Sequence, residues 1–225
     1  MNVHKNLQLY KLDLHIHTKY SDDSSITAEE LISACKSNEV VGVAITDHNS
    51  IKGINHFRKK LEKEHIIVIA GEEISTASGH LIGLYIEKEI KPHLTLDETI
   101  DEIEDQNGIS ILPHPYRFPH RVKGLQNIED IDLVESRNGR STEGENKNAE
   151  QLAMKYKKAT TGGSDSHSSS YIGSCYTYVN NTDNLYEEIK KGNCYGSGKS
   201  ITYLKKVDIW RWMAEKWILR GGKAI

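Results

Sequence analysis

Short β-rich runs recur along this 225-residue chain, and each one stops at a histidine or a carboxylate. LQLYKLDL (7–14) leads into His15 and His17, VVGVAI (40–45) into Asp47 and His48, and IIVIAG (66–71) into Glu72 and Glu73. ISIL (109–112) leads to His114, IDLV (131–134) to Glu135 and Asn138, and KKATTGG (157–163) to Asp165 and His167. Apolar runs of roughly four to eight residues suit strands buried on both faces of a parallel sheet. Closed into a barrel, such strands bring their C-terminal ends to one face, where barrel proteins build their sites. Residues distant in sequence would then meet in one pocket.

Between these runs lie helical signals. ITAEELISACKSN (26–38) opens with Thr27 and Glu30 at capping-box spacing. IKGINHFRKKLEKE (51–64) is amphipathic, and LTLDETIDEIEDQNG (94–108) is a helix stopped by Asn-Gly. A polar helix is expected over 142–157 and another over TDNLYEEIKKG (182–192). HLIGLYI (80–86) reads as a strand that pairs with the preceding one across a TASG turn. The alternation predicts an α/β fold with a parallel sheet. At least six such strands, with no G-x-G-x-x-G, favour a closed or distorted barrel over a doubly wound sheet. Residues 1–200 are assigned to this domain and 201–225 to an amphipathic helical extension.

A hydrophobic fraction of 37% supports one sizeable core. The net charge of -3 gives no basic excess for a nucleic-acid partner. Three scattered cysteines without CxxC spacing fit reduced thiols in a cytoplasmic protein. The N-terminal MNVHKNLQLYKL lacks the apolar run of a signal peptide, and no segment approaches a membrane span.

Taken singly, the polar motifs have bland readings. HxH arises by chance, TDHNS suits a capped turn, GEE suits a solvated loop, and HPYR suits a turn at proline. TGGSDSHSSS (161–170), with no apolar residue, is either a surface loop or a loop that offers Asp165 and His167 to a metal. The bland reading would have to hold at five strand ends in turn, which favours a shared site. His4, His56, His65, His93 and His120 read as solvated or capping residues. His80 opens the strand after GEE and returns toward the same mouth. Imidazole and carboxylate donors without thiolate suit Mn, Fe or Zn.

In chain order, DLHIHTKYSDDS, AITDHNS, GEEIS, GHLIGL, ILPHPYR and GGSDSHS resemble the motifs of the PHP (polymerase and histidinol phosphatase) superfamily, over roughly residues 10 to 180. The resemblance implies a distorted (β/α)7 TIM-like barrel holding two or three divalent metal ions. It places a first metal on His15, His17, Glu73 and Asp165, and a second on Glu73, His80 and His114. A third falls to Asp22, His48 and His167. Glu73 rather than Glu72 matches the family glutamate, and strand alternation allows only one of the two to face the mouth. Some members carry histidine at the position of Asp22. Aspartate there resembles the stand-alone phosphoesterases that act on nucleotide-like monophosphates.

The chemistry implied is hydrolysis of a small phosphate monoester by a metal-bridging hydroxide. Asp165 would orient the nucleophile, and His48 or His167 would serve as general acid. Arg117 and Arg140 follow strand ends and suit bidentate phosphate binding. Asp13 and Asp47 suit outer partners of metal-bound imidazoles. Histidinol-phosphate phosphatase and a non-catalytic PHP scaffold or regulatory module are the alternatives. In 207–219, Val207, Trp210, Met213, Ala214 and Trp217 form one helical stripe flanked by lysines and arginine. That stripe suits docking on the barrel or on a second subunit in a homo-oligomer, or an interfacial membrane helix.

Overall fold

The computed structural model describes residues 8–118, 122 and 128–200. Among them are β1 (Tyr10–Ile16), α1 (Ala28–Asn38), β2 (Val40–Ile45), α2 (Ile54–Leu61), β3 (Ile67–Thr76), β4 (Gly79–Leu84) and α3 (Leu96–Glu104). Then follow β5 (Ile109–Leu112), β6 (Leu133–Asn138), α4 (Glu143–Lys155), β7 (Ala159–Gly163), β8 (Cys175–Val179), α5 (Leu185–Lys190) and β9 (Cys194–Gly198). Local sequence sets the helix starts. Thr27, Thr95 and Thr142 each accept from the backbone three residues on, and Glu30, Glu98 and Glu145 each reach back to the cap, completing three capping boxes.

The strands form one sheet in the order β7-β6-β5-β4-β3-β2-β1-β8-β9. It curls into a nearly closed barrel. The Thr177 hydroxyl on β8 bridges both the N–H and the carbonyl of Gly162 on β7, at 2.9 and 2.8 Å. Past β7, Ser166 pairs with Ile16 at the end of β1. Leu12 and Leu14 of β1 join Ile69, Ile82, Leu84, Ile109, Ile111, Leu133, Val179 and two residues of α5 in one buried cluster. Two further clusters pack α1 and α2, and α3 and α4, against the sheet.

The expected parallel pairing holds for six strands, and β4 pairs with β3 across a turn as expected. β1, β2 and β3 are mutually parallel, as are β5, β6 and β7, but β4 runs antiparallel to both its neighbours. β8 and β9 are also antiparallel and were not expected. In β8, CYTYV alternates buried and half-buried positions, and in β9 CYGSG has little apolar content. Neither presents the continuous apolar run that marks β2, the start of β3 and β5. No helix among the described residues is long and apolar enough to cross a membrane. The stripe at 207–219, His4 and His120 lie outside the described residues.

Candidate metal centre

Two backbone contacts gather the mouth of the barrel. Ile16 pairs with Ser166, and His48 pairs with Glu73. His15 and His17 at the end of β1 are two apart and share a side, as strand geometry requires. They are joined by Glu73 from β3, His80 from β4, and His48, His114, Asp165 and His167 from the loops after strands. Glu73 is wholly buried at the centre. Its Oε2 lies 3.1 Å from His17 Nε2, 3.1 Å from His48 Nδ1 and 3.3 Å from His15 Nε2. Its Oε1 lies 2.8 Å from His80 Nδ1 and 2.9 Å from His114 Nε2.

Asp165 is equally buried but differently partnered. Its Oδ2 is 3.1 Å from Arg117 Nη1, and its Oδ1 is 3.6 Å from Arg140 Nη1. Arg117 also reaches His114 Nε2 at 3.1 Å, and Arg140 reaches His167 Nδ1 at 3.0 Å. Asp165 has φ +53° and His114 φ +32°, a region non-glycine residues seldom occupy. Such strain persists where surrounding structure enforces it, and here it falls on two residues of the cluster. Gly163 serves the site by lacking a side chain. A Cβ there would lie 2.3 Å from His15 Cβ and 2.8 Å from Glu135 Oε1.

Four groups bring potential ligand atoms within 4.8 Å of one another: His17, Asp23, His48 and His167; His15, His17 and Glu73; His15, His114 and Asp165; His48, Glu73 and His80. Shared members join them into one cluster. Asp22 is not among them. A turn runs from Ser21 to Ser24, closed by the Ser24 N–H on the Ser21 carbonyl at 3.2 Å. It leaves Asp22 exposed and turns Asp23 inward, where its Oδ2 meets His167 Nε2 at 2.7 Å. Two adjacent aspartates in a turn have no periodicity to tell them apart, so the sequence could not choose between them.

The outer partners also differ from expectation. Asp13 accepts from the backbone N–H groups of Ser164 and Gly173, both at 2.8 Å, and so fixes loops rather than an imidazole. Asp47 accepts from the Ser21 hydroxyl at 3.0 Å, and Ser21 Oγ lies 3.3 Å from His17 Nδ1. Its effect on His17 is therefore indirect. The direct partner is Glu135, whose Oε1 is 3.0 Å from His15 Nδ1. With Nδ1 donating to Glu135, His15 turns Nε2 into the cluster, where loss of its proton leaves a lone pair for metal. Glu135 stood at a strand end in the sequence, but nothing local gave its role. Glu72 faces away from the cluster and accepts from the Ile90 N–H at 3.0 Å. Burial pushes its carboxyl up to about 7.

Electrostatics follow the partners. Burial opposes charge on Glu73, but His80, His15, His48 and His114 outweigh it and hold the carboxyl well below its usual range. Burial likewise opposes Asp165, and Arg117, His15 and Arg140 overcome it. His17 is raised to about 9: burial works against the imidazolium, and Asp165 and Glu73 prevail. His167 is pushed down to about 4, chiefly by burial and then by His17 and Arg140.

The residues fit divalent metal. Glu73 Oε2, Asp165 Oδ1, Asp23 Oδ1 and His114 Nδ1 are buried with no hydrogen-bond partner. Buried polar atoms are normally satisfied, since leaving one unpaired costs about 1–3 kcal/mol. Glu73 Oε2 and Asp165 Oδ1 face His17 Nε2 at 3.1 and 3.5 Å, and carboxylate oxygens set against imidazole nitrogens in this way form a lining suited to a cation. His15 Nε2 and His17 Nε2, only 3.1 Å apart, converge on the same space.

Fold and site together define a barrel protein with a strand-end cluster of histidines and carboxylates suited to divalent metal. The PHP domain matches residues 13–192, and the chain belongs to that family. It is 41% identical over 134 residues to the uncharacterized protein MJ1587 of Methanocaldococcus jannaschii, covering 55% of this chain and 77% of the relative. Uncharacterized protein MJ0417 of the same organism is 32% identical over 175 residues, covering 74% and 69%. Among solved structures, a two-domain protein from Bacteroides vulgatus containing a predicted PHP-like metal-dependent phosphoesterase superposes with a TM-score of 0.70 at 17% identity. That match covers 85% of this chain and 65% of the longer one, and it shows the fold.

Proposed function

We propose that this protein hydrolyses a small phosphate monoester, with nucleotides among the candidate substrates, at a centre of two or three divalent metal ions. The observation that carries this is the convergence of the Glu73, Asp165 and Asp23 carboxylates with inward-facing imidazoles, their ligand atoms within 4.8 Å of one another in each group. His15, His17, Glu73 and Asp165 would hold one ion, Glu73, His80 and His114 a second, and His48, His167 and Asp23 a third. Mn, Fe and Zn suit these donors. Bound there, such ions lower the pKa of coordinated water and neutralise phosphoryl charge.

The remaining chemistry belongs to the chain. Arg117 and Arg140 converge on Asp165 from two loops, so their N–H groups can bracket a phosphoryl group entering beside it. Asp165 accepts a hydrogen bond from the attacking water and sets its direction. His167, held near 4 by burial, is neutral at pH 7 and suits ligation better than proton donation. The His48 side chain is 27% exposed at the mouth, and where the third ion is absent and His48 is free of metal it is the better placed of the two to protonate a leaving oxygen.

The test is metal per chain in protein purified without chelator, followed by a panel of phosphate monoesters that includes nucleoside monophosphates and histidinol phosphate. Roughly two to three equivalents of metal and turnover of at least one ester are expected. Absence of metal after incubation with Mn and Zn would sink the reading. Bound metal with no turnover of any ester would favour a non-catalytic module.

A further inference from the structure

Glu135 and Asn138 are three residues apart on β6, a spacing that on a regular strand puts side chains on opposite faces. Here they touch: Asn138 Nδ2 donates to Glu135 Oε2 at 2.9 Å. The cause is a bulge. Glu135 pairs with Thr161, but Arg137 pairs with the next residue, Gly162, so Ser136 is the extra residue. A bulge of this kind re-aims the side chains beyond it. Arg137 turns outward to Glu143 and Glu150, and Asn138 turns in.

Asn138 is fully buried, and both ends of its amide are used. The second donor goes to Asp165 Oδ2 at 3.1 Å. The carbonyl oxygen accepts from the Arg140 N–H at 2.9 Å and the Ser141 hydroxyl at 3.3 Å. Flipping the amide would set its oxygen between two carboxylates and its NH2 against a backbone N–H, so this orientation is enforced. Asn146 on α4 fixes the backbone by bonding both the N–H and the carbonyl of Asn138, each at 3.1 Å.

We infer that Asn138 is a positioning residue that locks three parts of the centre together: the Asp165 carboxylate, the Glu135 that orients His15, and the backbone that carries Arg140. This rests on the metal-centre reading above. By engaging Oδ2 of Asp165, together with Arg117, it leaves Oδ1 as the atom turned toward His17 Nε2, 3.5 Å away. By engaging Oε2 of Glu135, together with the His114 N–H at 2.9 Å, it leaves Oε1 for His15. One amide thus selects which oxygen of each carboxylate faces inward. Asn138 touches no reacting atom in this scheme.

The experiment titrates metal-free protein with Co(II) and follows visible absorption, which reports ligand geometry and needs no substrate. Wild type is compared with Asn138→Ala and with Asn138→Leu, which keeps the volume but offers no hydrogen bond. Far-UV circular dichroism checks that each is folded. Both variants are expected to bind Co(II) about 10–100-fold more weakly, the usual cost of losing an outer partner, with an altered band envelope. A folded variant of either kind with the wild-type spectrum, and a Kd within about twofold of wild type, overturns the positioning role. So does recovery of wild-type binding in Asn138→Leu alone, since that is packing. Wild-type protein that develops no Co(II) bands overturns the metal-centre reading, and this inference with it.

Discussion

Glu73 and Asp165 are both fully buried carboxylates at the same barrel mouth, yet their nearest partners differ in kind. Around Glu73 stand five imidazoles, which change charge with pH and can give their lone pairs to metal. Around Asp165 stand four imidazoles at 3.5 to 4.0 Å and, in addition, two guanidiniums, which keep their charge, and the amide of Asn138. Burying a charge is costly unless it is paired. Asp165 is compensated by fixed cations whatever the solution contains. Compensation of Glu73 depends on protons or on metal. The contrast divides the site into a region that is responsive and one that is built to stay polarised.

The sharpest way to break the comparison is to remove each carboxylate's character in turn. Glu73→Gln is expected to strip metal from the centre and lower phosphomonoester turnover by more than about 10³-fold, beyond the loss of a single donor to developing charge. The metal-free Tm should fall less than in Arg117→Ala, because the surrounding imidazoles can go neutral. Arg117→Ala should do the reverse in the metal-free protein. It leaves a buried Asp165 without its close cation, and a broken buried pair costs about 3–5 kcal/mol, read by urea denaturation. A metal-free Glu73→Gln protein as unstable as Arg117→Ala would erase the distinction.

pH sharpens it next. In metal-free protein, folded His17 keeps its proton up to about 9, whereas its ordinary value is 6.5. The stability it contributes is full below pH 6.5 and is lost as pH rises through 9. His15 is also raised: burial opposes this, and Asp165, Glu135 and Glu73 outweigh it, so it acts in the same direction. At about 1.4 kcal/mol per pH unit, chelated protein should be up to about 3 kcal/mol less stable at pH 9 than at pH 6.5. Metal displaces those protons, so loaded protein should show a flatter Tm profile over that window. Equal slopes with and without metal would contradict the responsive half of the comparison. The smallest effects concern the adjacent aspartates. Asp23→Asn should weaken metal retention about 10–100-fold, and Asp22→Asn should leave it unchanged. The reverse result would return the ligand role to the exposed residue.

Much of this was legible before any coordinates. Continuous apolar runs marked β2, β3, β5 and the start of β6, and Thr27 with Glu30 marked the start of α1, because these signals are local. Each of His15, His17, His48, Glu73, His80, His114, Asp165 and His167 stood next to a strand run, and the structure brings them to one mouth. β8 and β9 escaped because β8 alternates buried and half-buried positions and β9 has little apolar content, so neither shows a continuous apolar run. Asp23 escaped because turns carry no periodicity.

The sequence by itself determined the family, the order of strands and helices from β1 to β7, and the chemical types available at the mouth, since each is written in contiguous residues. Only the tertiary structure decided which oxygen faces which nitrogen. That choice rests on a bulge at Ser136, on a turn at Ser21, and on Gly163 leaving room for the His15–Glu135 pair. The bulge and the Gly163 clearance depend on contacts between segments far apart in the chain, and the turn, though local, has no periodicity to mark which aspartate faces in.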